Sequence, residues 1–383
     1  MKVEQNISRL KNLMKMYNIS SDELAAQISV GLKKPLTIED ILNRQIKLSH
    51  LKRIDKFFNR GLHYYLDPKA PETSKEASIF FRKEAFNSKL NIGAKKVVNK
   101  FEEFKISLSA IAKLADIEFE QTFPVYKLQD DPSIVAKDIR NILYPTFNSD
   151  LKTFLKSLIS VFAEHNILVF EFVEYWNQKE KANIDGFFLN PNVIVLKRQQ
   201  SSFRREIFTL IHELAHFLLN EEEIEKVDYF KEEDSSIIEK WCHSFAFHFL
   251  IGDYSKEFEN IEDASSENDY QFELIERISR DTHLSQLALF TNLLFRNKIS
   301  KDNYNKIRED FEERHRVKQE ELKKQKEKDK ELGIKRRGSA PQPIQSPLLV
   351  STIQTAFYEG VLNEYEVCQK LNIKPDKLGE YIP

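Results

Sequence analysis

The sequence is poor in cysteine and carries almost no net charge. Its 383 residues include only two cysteines, Cys242 and Cys368, which lie far apart in the chain. The sequence therefore does not indicate a disulfide framework, and it favours a reducing compartment. Acidic and basic residues nearly balance at a net charge of -2, so bulk charge does not indicate a nucleic-acid partner.

Long apolar runs are also missing. No stretch reaches the ~18 uncharged apolar residues that a membrane-spanning helix needs. The most apolar region, residues 155–173, is interrupted by Glu164, His165 and Glu171. The first residues, 1–10, lack the apolar segment of a secretory signal peptide. We therefore expect a cytoplasmic protein that has no membrane partner and is long enough for two or three domains.

A His-Glu-Leu-Ala-His pattern occupies residues 212–216, inside a segment with helical apolar periodicity, residues 204–219. Side chains at i and i+4 project from one face of a helix, so His212 and His216 can hold one Zn²⁺ ion together. The carboxylate of Glu213 lies beside them, where it can act as a general base. The pattern predicts a metallopeptidase active site with one zinc ion per chain. The alternative is a pair of buried structural histidines next to a surface glutamate.

A catalytic zinc site needs a third protein ligand and leaves one position open for water. Residues 235–250 are predicted to form a second helix, with Glu239 at the edge of its apolar face. A carboxylate there is costly unless it is paired or bound to metal, so Glu239 is the predicted third ligand, with a helix-edge salt bridge as the alternative. His243, one turn further on, faces nearly the same way and is either the true ligand or a group behind the ligands. His248 points to the opposite side and is expected at the surface.

Two segments resemble the signature motifs of the ImmA/IrrE metallopeptidases. Residues 208–219, Phe-Thr-Leu-Ile-His-Glu-Leu-Ala-His-Phe-Leu-Leu, look like the zinc-binding helix of that family. Residues 238–246, Ile-Glu-Lys-Trp-Cys-His-Ser-Phe-Ala, are similar to its second motif, in which a Glu supplies the third zinc ligand. The resemblance implies that Glu239 has this role. The family usually has Ala and Asn where this chain has Cys242 and His243.

The resemblance implies a zinc-dependent endopeptidase that cleaves a regulatory protein such as a repressor, in a stress response or in the control of mobile elements. In this mechanism Glu213 takes a proton from the attacking water, and His243 and Tyr229 are candidate donors to the oxyanion. An alternative of another class is a DNA-binding transcriptional regulator or antitoxin-like protein, whose metal domain is a sensor or fold staple with little catalysis. A purely structural zinc site is disfavoured because such sites normally have four protein ligands.

Residues 1–66 are predicted to be helical, and residues 1–60 are locally basic, with 12 Lys+Arg against 6 Asp+Glu, a net charge of +6. This region resembles a degenerate helix-turn-helix module of the lambda-repressor-like (XRE) family, with Asn-Arg-Gln at 43–45 where that family usually carries Glu and Gly. The resemblance implies DNA binding in the major groove. The candidate DNA contacts are Lys33, Lys34, Thr37 and Arg44. The alternative is a helical bundle that serves protein contacts or dimerisation, in which case the protein could be a homo-oligomer.

The predicted fold class is α+β and mostly helical. It comprises a zincin-like metallopeptidase domain with a small β-sheet, preceded by the helix-turn-helix module. Strands are expected at 167–173, 185–189 and 193–196, the last two joined by an Asn-Pro-Asn turn. We hypothesise that the strand closest to the zinc helix aligns an extended peptide, although it could equally be a plain support for that helix.

The chain is predicted to divide by composition into five parts. Residues 281–296 are predicted to be helical, and the ImmA/IrrE resemblance implies that this segment packs behind the active site. The last part is expected to dock elsewhere or to contact a partner because it is too short to bury much core. The parts are 1–66, the helix-turn-helix module; 67–150, a helical connector with a helix near 77–86; 151–310, the peptidase domain; 311–347, a charged helix and linker; and 348–383, a small helical module.

Overall fold

The structure is a computed structural model that describes residues 1–17, 19–58, 60–70, 90–174, 181–198, 203–222, 236–332 and 342–382. The chain forms two compact units, one made of residues 1–106 with 180–183 and the other of 107–179 with 184–383. The described residues are mostly helical with two small sheets, which agrees with the predicted α+β class. No helix among them is both long and apolar enough to cross a membrane. The helix predicted near 77–86 lies outside the described residues.

The first unit is a small helical cluster closed by a two-stranded antiparallel sheet. Its core is made of leucine, isoleucine and aromatic side chains, among them Leu10, Leu24, Ile54 and Tyr65, all fully buried. Its elements are β1 (Lys2–Glu4), α1 (Ile7–Met16), α2 (Ser21–Ser29), α3 (Ile38–Ile41), β2 (Gln45–Lys47), α4 (Leu48–Phe58) and α5 (Leu62–Leu66), followed by the start of α6 (Ile92–Leu114).

Helix α3, which would be the recognition helix of a helix-turn-helix module, is only four residues long. It ends at Ile41 because the side chain of Gln5 binds the carbonyl groups there. Nε2 of Gln5 donates to the Ile41 and Asn43 oxygens at 2.6 and 2.8 Å. A recognition helix presents its N-terminal residues to base edges in the major groove, and one turn offers few such positions. The module and its DNA binding therefore stay predictions.

The second unit is built on a mixed three-stranded sheet of order β3-β5-β4. Strand β3 (Leu168–Val173) runs parallel to β5 (Val193–Arg198), and β4 (Gly186–Leu189) runs antiparallel to β5. All three predicted strands are present. The helices of this unit are α7 (Pro132–Leu143), α8 (Leu151–Glu164), α9 (Phe203–Leu219), α10 (Ile237–Ile251), α11 (Ser255–Glu259), α12 (Phe272–Thr282), α13 (Gln286–Phe295), α14 (Lys301–Glu331), α15 (Pro347–Tyr358) and α16 (Glu364–Leu371).

Helix α9 is the central element of this unit, and every residue from Glu206 to Leu219 is buried. It packs on β4 and β5 on one side and on α10 on the other. Helix α10 in turn lies along α7, to which it is tied at both ends. Nε1 of Trp241 donates to the Asp130 carbonyl at 2.8 Å, and the guanidinium of Arg140 donates to the Phe249 carbonyl. Two helices held in this way give fixed positions to the side chains between them.

Most of the helical segment predicted over 281–296 is α13 (Gln286–Phe295), and the break that separates α12 from α13 lies at its start. The chain turns at His283, whose φ of +63° is left-handed and ends α12. A new helix begins after Ser285, whose hydroxyl accepts the N–H of Ala288 at 3.0 Å. The side chain of His283 is buried, and its Nε2 lies 2.8 Å from the carbonyl oxygen of Asn148. The local apolar periodicity does not reveal the helix break at His283, which this buried contact stabilises.

The C-terminal segment is anchored to a buried cluster of three charged side chains, Glu171, Arg198 and Glu206. The guanidinium of Arg198 pairs with Glu206 at the start of α9, and its Nε lies 3.7 Å from Oε2 of Glu171. The same Oε2 accepts the backbone N–H of Ile344 at 2.6 Å. Helix α15 follows this contact and packs on α8, so the C-terminal module docks on the second unit. Burial raises the pKa of Glu171 to about 7, against the partial opposing effects of the Ile344 N–H and Arg198.

The raised pKa of Glu171 predicts a pH-dependent stability. The folded chain binds this proton more tightly than an exposed glutamate of pKa 4.5, so the stabilising contribution is complete below pH 4.5 and is lost as the pH rises through about 7. We expect the wild type to lose roughly 3 kcal/mol between pH 4.5 and 7.5 relative to Glu171→Gln. Urea unfolding of both proteins at several pH values measures this difference. Two unfolding curves that shift in parallel with pH would contradict it.

Candidate metal centre

Three side chains from two neighbouring helices meet in the second unit. His212 and His216 lie one turn apart on α9, and Glu239 lies in the first turn of α10, where Ser236 caps the helix. Oε2 of Glu239 is 3.0 Å from Nε2 of His212, and its Oε1 is 3.2 Å from Nε2 of His216. One ligand atom from each of the three residues lies within 4.8 Å of the other two. The structure thus brings together the ligand set predicted from the sequence.

These three residues fit a zinc ion by their chemistry. Two imidazole nitrogens and one carboxylate oxygen are a donor set that Zn²⁺ takes in catalytic sites. Nδ1 of His216 lies 3.1 Å from the carbonyl oxygen of Glu221, an arrangement that leaves Nε2 as the atom available to a metal. Burial alone would raise the pKa of Glu239, but the imidazoles of His212 and His216 hold it well below its usual range. The carboxylate is therefore ionised, as a ligand must be.

Glu213 lies beside the ligands but faces the sheet. Its Cγ is 3.2 Å from the position that a Cβ would take on Gly186, the first residue of β4. The side chain is buried, and burial raises the pKa of Glu213 to about 7, although His216 and His212 partly lower it. A carboxylate with a pKa near neutrality is suited to accept and return a proton at pH 7.

Two further α10 side chains touch the ligands. Cys242 lies next to His216, and burial raises the pKa of its thiol to about 11, so it stays protonated. The ring of His243 packs on Phe208 and lies 6.4 Å, centroid to centroid, from the ring of His212. Burial lowers the pKa of His243 to about 4, which keeps its imidazole neutral. His243 is not in the group of ligand atoms, so its position favours a supporting role.

His248 and Tyr229 are the remaining residues predicted near this site. His248 was expected at the surface, but it is half-buried, and burial lowers its pKa. The surface assignment was wrong because α10 is covered on more than one side. Tyr229, the other candidate oxyanion donor, lies outside the described residues.

Comparison with known families agrees with this geometry. Residues 163–259 match the Peptidase_M78 family, described as the IrrE N-terminal-like domain. The match supports the ImmA/IrrE resemblance and a peptidase, that is, a hydrolase. It spans β3, β4, β5, α9 and α10, and so contains all three ligands and Glu213. No curated protein and no solved structure matches the chain.

Three of the predicted DNA contacts, Lys33, Lys34 and Thr37, lie in the loop between α2 and α3 of the first unit, and the fourth, Arg44, lies just before β2. Lys33 and Lys34 are exposed. Thr37 caps α3, with its hydroxyl accepting the N–H of Asp40 at 3.2 Å, and Arg44 pairs with Glu4 at 2.6 Å. Two of the four predicted contacts therefore have partners within the chain, and binding to DNA would have to compete with them.

Proposed function

We propose that this protein is a zinc-dependent endopeptidase that cleaves a regulatory protein in the cytoplasm. The observation that carries the proposal is the group of His212, His216 and Glu239 with Glu213 in the adjoining helical position. A structural zinc site would normally close the fourth position with another protein ligand. Among the described residues only three such side chains come together, which supports a catalytic site.

The chain's own residues supply the acid–base chemistry of this mechanism. His212, His216 and Glu239 would hold the zinc, which when bound supplies a Lewis acid for a peptide carbonyl and for water. Glu213 accepts a proton from the attacking water and returns it to the leaving amine nitrogen. Among the residues that the structure describes, the neutral ring of His243 is the candidate that would donate a hydrogen bond to the oxyanion. The surrounding apolar core excludes bulk water from the carboxylate of Glu213.

We propose a repressor-type regulator as the substrate, in line with the ImmA/IrrE resemblance. Strand β4 is the edge strand next to β5 and packs directly on the zinc helix α9. An extended peptide segment would be aligned on this strand by main-chain hydrogen bonds, as edge strands commonly do. Peptide specificity would then come from pockets along this strand.

Glu213→Gln tests the reaction most directly. We expect the variant to keep its zinc but to lose hydrolysis by at least ~10²-fold, because an amide cannot take up the proton. Zinc-loaded wild type and variant are incubated with a proteome-derived peptide library and with soluble host proteins, and new N termini are identified by mass spectrometry. The expected result is a recurring cleavage sequence that depends on Glu213. A fully active variant would remove Glu213 from its role as base.

A further inference from the structure

Two polar side chains on the sheet-facing side of α9 point at the same place. Thr209 and Glu213 are one turn apart, so they lie on one face of the helix. A Cβ on Gly186 would lie 2.6 Å from Cγ2 of Thr209 and 3.2 Å from Cγ of Glu213. Both side chains therefore reach the single spot that the missing side chain of Gly186 leaves free.

Each of these side chains has a buried polar atom without a hydrogen-bond partner among the described residues. The atoms are Oγ1 of Thr209 and Oε2 of Glu213. The Thr209 residue is 1% exposed and Glu213 is 3% exposed, so neither is open to bulk solvent. A buried polar atom that stays unpaired is costly, whereas a hydroxyl donor and a carboxylate acceptor can satisfy each other.

We propose that Thr209 is a positioning residue for Glu213. Its hydroxyl donates a hydrogen bond to the Glu213 carboxylate, directly after a small rotation of the side chain or through one bridging water. This bond fixes the carboxylate on the β4 side of α9 and gives it one orientation towards the ligands. The inference rests on the proposed function, because it explains how the proposed base is held.

Gly186 completes this arrangement. Gly186 lies in a strand and has no left-handed φ, so other residues could adopt its backbone conformation. Glycine is required here by the lack of space for a side chain. The backbone oxygen of Val195 lies 3.1 Å from the same Cβ position, so the strand cannot easily move away. Glycine here leaves room for the side chains of Thr209 and Glu213 between α9 and β4.

A double-mutant cycle on the full-length, zinc-loaded chain tests the proposal. Thr209→Val removes the hydroxyl at constant shape, Thr209→Ser keeps it, and Glu213→Met removes the acceptor. We expect Thr209→Val to lower Tm by about 3–8 °C in the wild-type background, since the carboxylate loses a charge-assisted bond. In the Glu213→Met background we expect the same change to shift Tm by less than ~1 °C, because no acceptor remains.

Rescue by serine separates this role from simple packing. Thr209→Ser should restore more than half of the decrease in Tm that Thr209→Val causes, although serine lacks the buried methyl group. Equal Tm shifts of Thr209→Val in both backgrounds, or a serine variant as damaged as the valine variant, would overturn the proposal. Zinc content is measured on every variant to separate this failure from a failure of the proposed function. A wild type without zinc, or an active Glu213→Gln variant, would contradict the proposed function instead.

Discussion

Glu239→Ala is expected to lose bound zinc, with an affinity reduced more than about 100-fold, beyond the 10–100-fold effects of residues behind the ligands. The carboxylate contributes one of the three ligand atoms, and it also contacts Nε2 of both His212 and His216. Without the carboxylate only two imidazole donors remain, and these are too few to hold the ion. Metal content of the purified protein and titration against a chelating dye measure the loss.

Matched variants make this result specific. Glu257→Ala removes a surface carboxylate that pairs with Arg277 and should keep one zinc per chain. His243→Ala should keep the metal as well, with a weaker affinity at most, since its ring lies 6.4 Å from that of His212 and is not in the group of ligand atoms. Zinc retained in Glu239→Ala and lost in His243→Ala would move the third ligand to His243.

Arg198→Met is expected to destabilise the second unit by about 3–5 kcal/mol. Its guanidinium is buried between two buried carboxylates, those of Glu171 and Glu206. Without it, both buried carboxylates lose their counter-charge, which is costly in an apolar core. Urea unfolding followed by tryptophan fluorescence measures the loss.

The charged cluster can also be removed as a whole. A triple variant, Glu171→Leu, Arg198→Met and Glu206→Leu, should recover most of the lost stability, because no unpaired charge remains. Arg205→Met is the matched control, since Arg205 is partly exposed and pairs with Asp185, and it should cost no more than about 1 kcal/mol. An Arg198→Met protein as stable as wild type would show that the cluster is not held by charge pairing.

The candidate metal centre could be predicted from the sequence because its residues are set by local helical spacing. His212 and His216 lie at i and i+4, and the apolar periodicity of both helices placed α9 and α10 within a few residues of their observed bounds. Glu239 followed from the cost of a carboxylate on an apolar face. Each of these arguments needs only one helix at a time.

The parts that the sequence did not reveal all depend on contacts between distant segments. The pairing of Glu171 with Arg198, and the hydrogen bond from the Ile344 N–H to Glu171, join two strands and the C-terminal segment. The same holds for Gly186 opposite Thr209, although a glycine inside a predicted strand is a recognisable sign of close backbone approach. No periodicity in a single segment carries such information.

The core around α9 extends well beyond the segment that resembles a peptidase family. Residues 163–259 hold the ligands, yet their apolar side chains pack in one cluster with Phe154 of α8, Phe290 of α13 and Ile307 of α14. A fragment cut at the limits of the family match would expose part of this apolar cluster to water. The shortest stretch that can be expressed as a stable protein therefore begins before α7 and continues past residue 307.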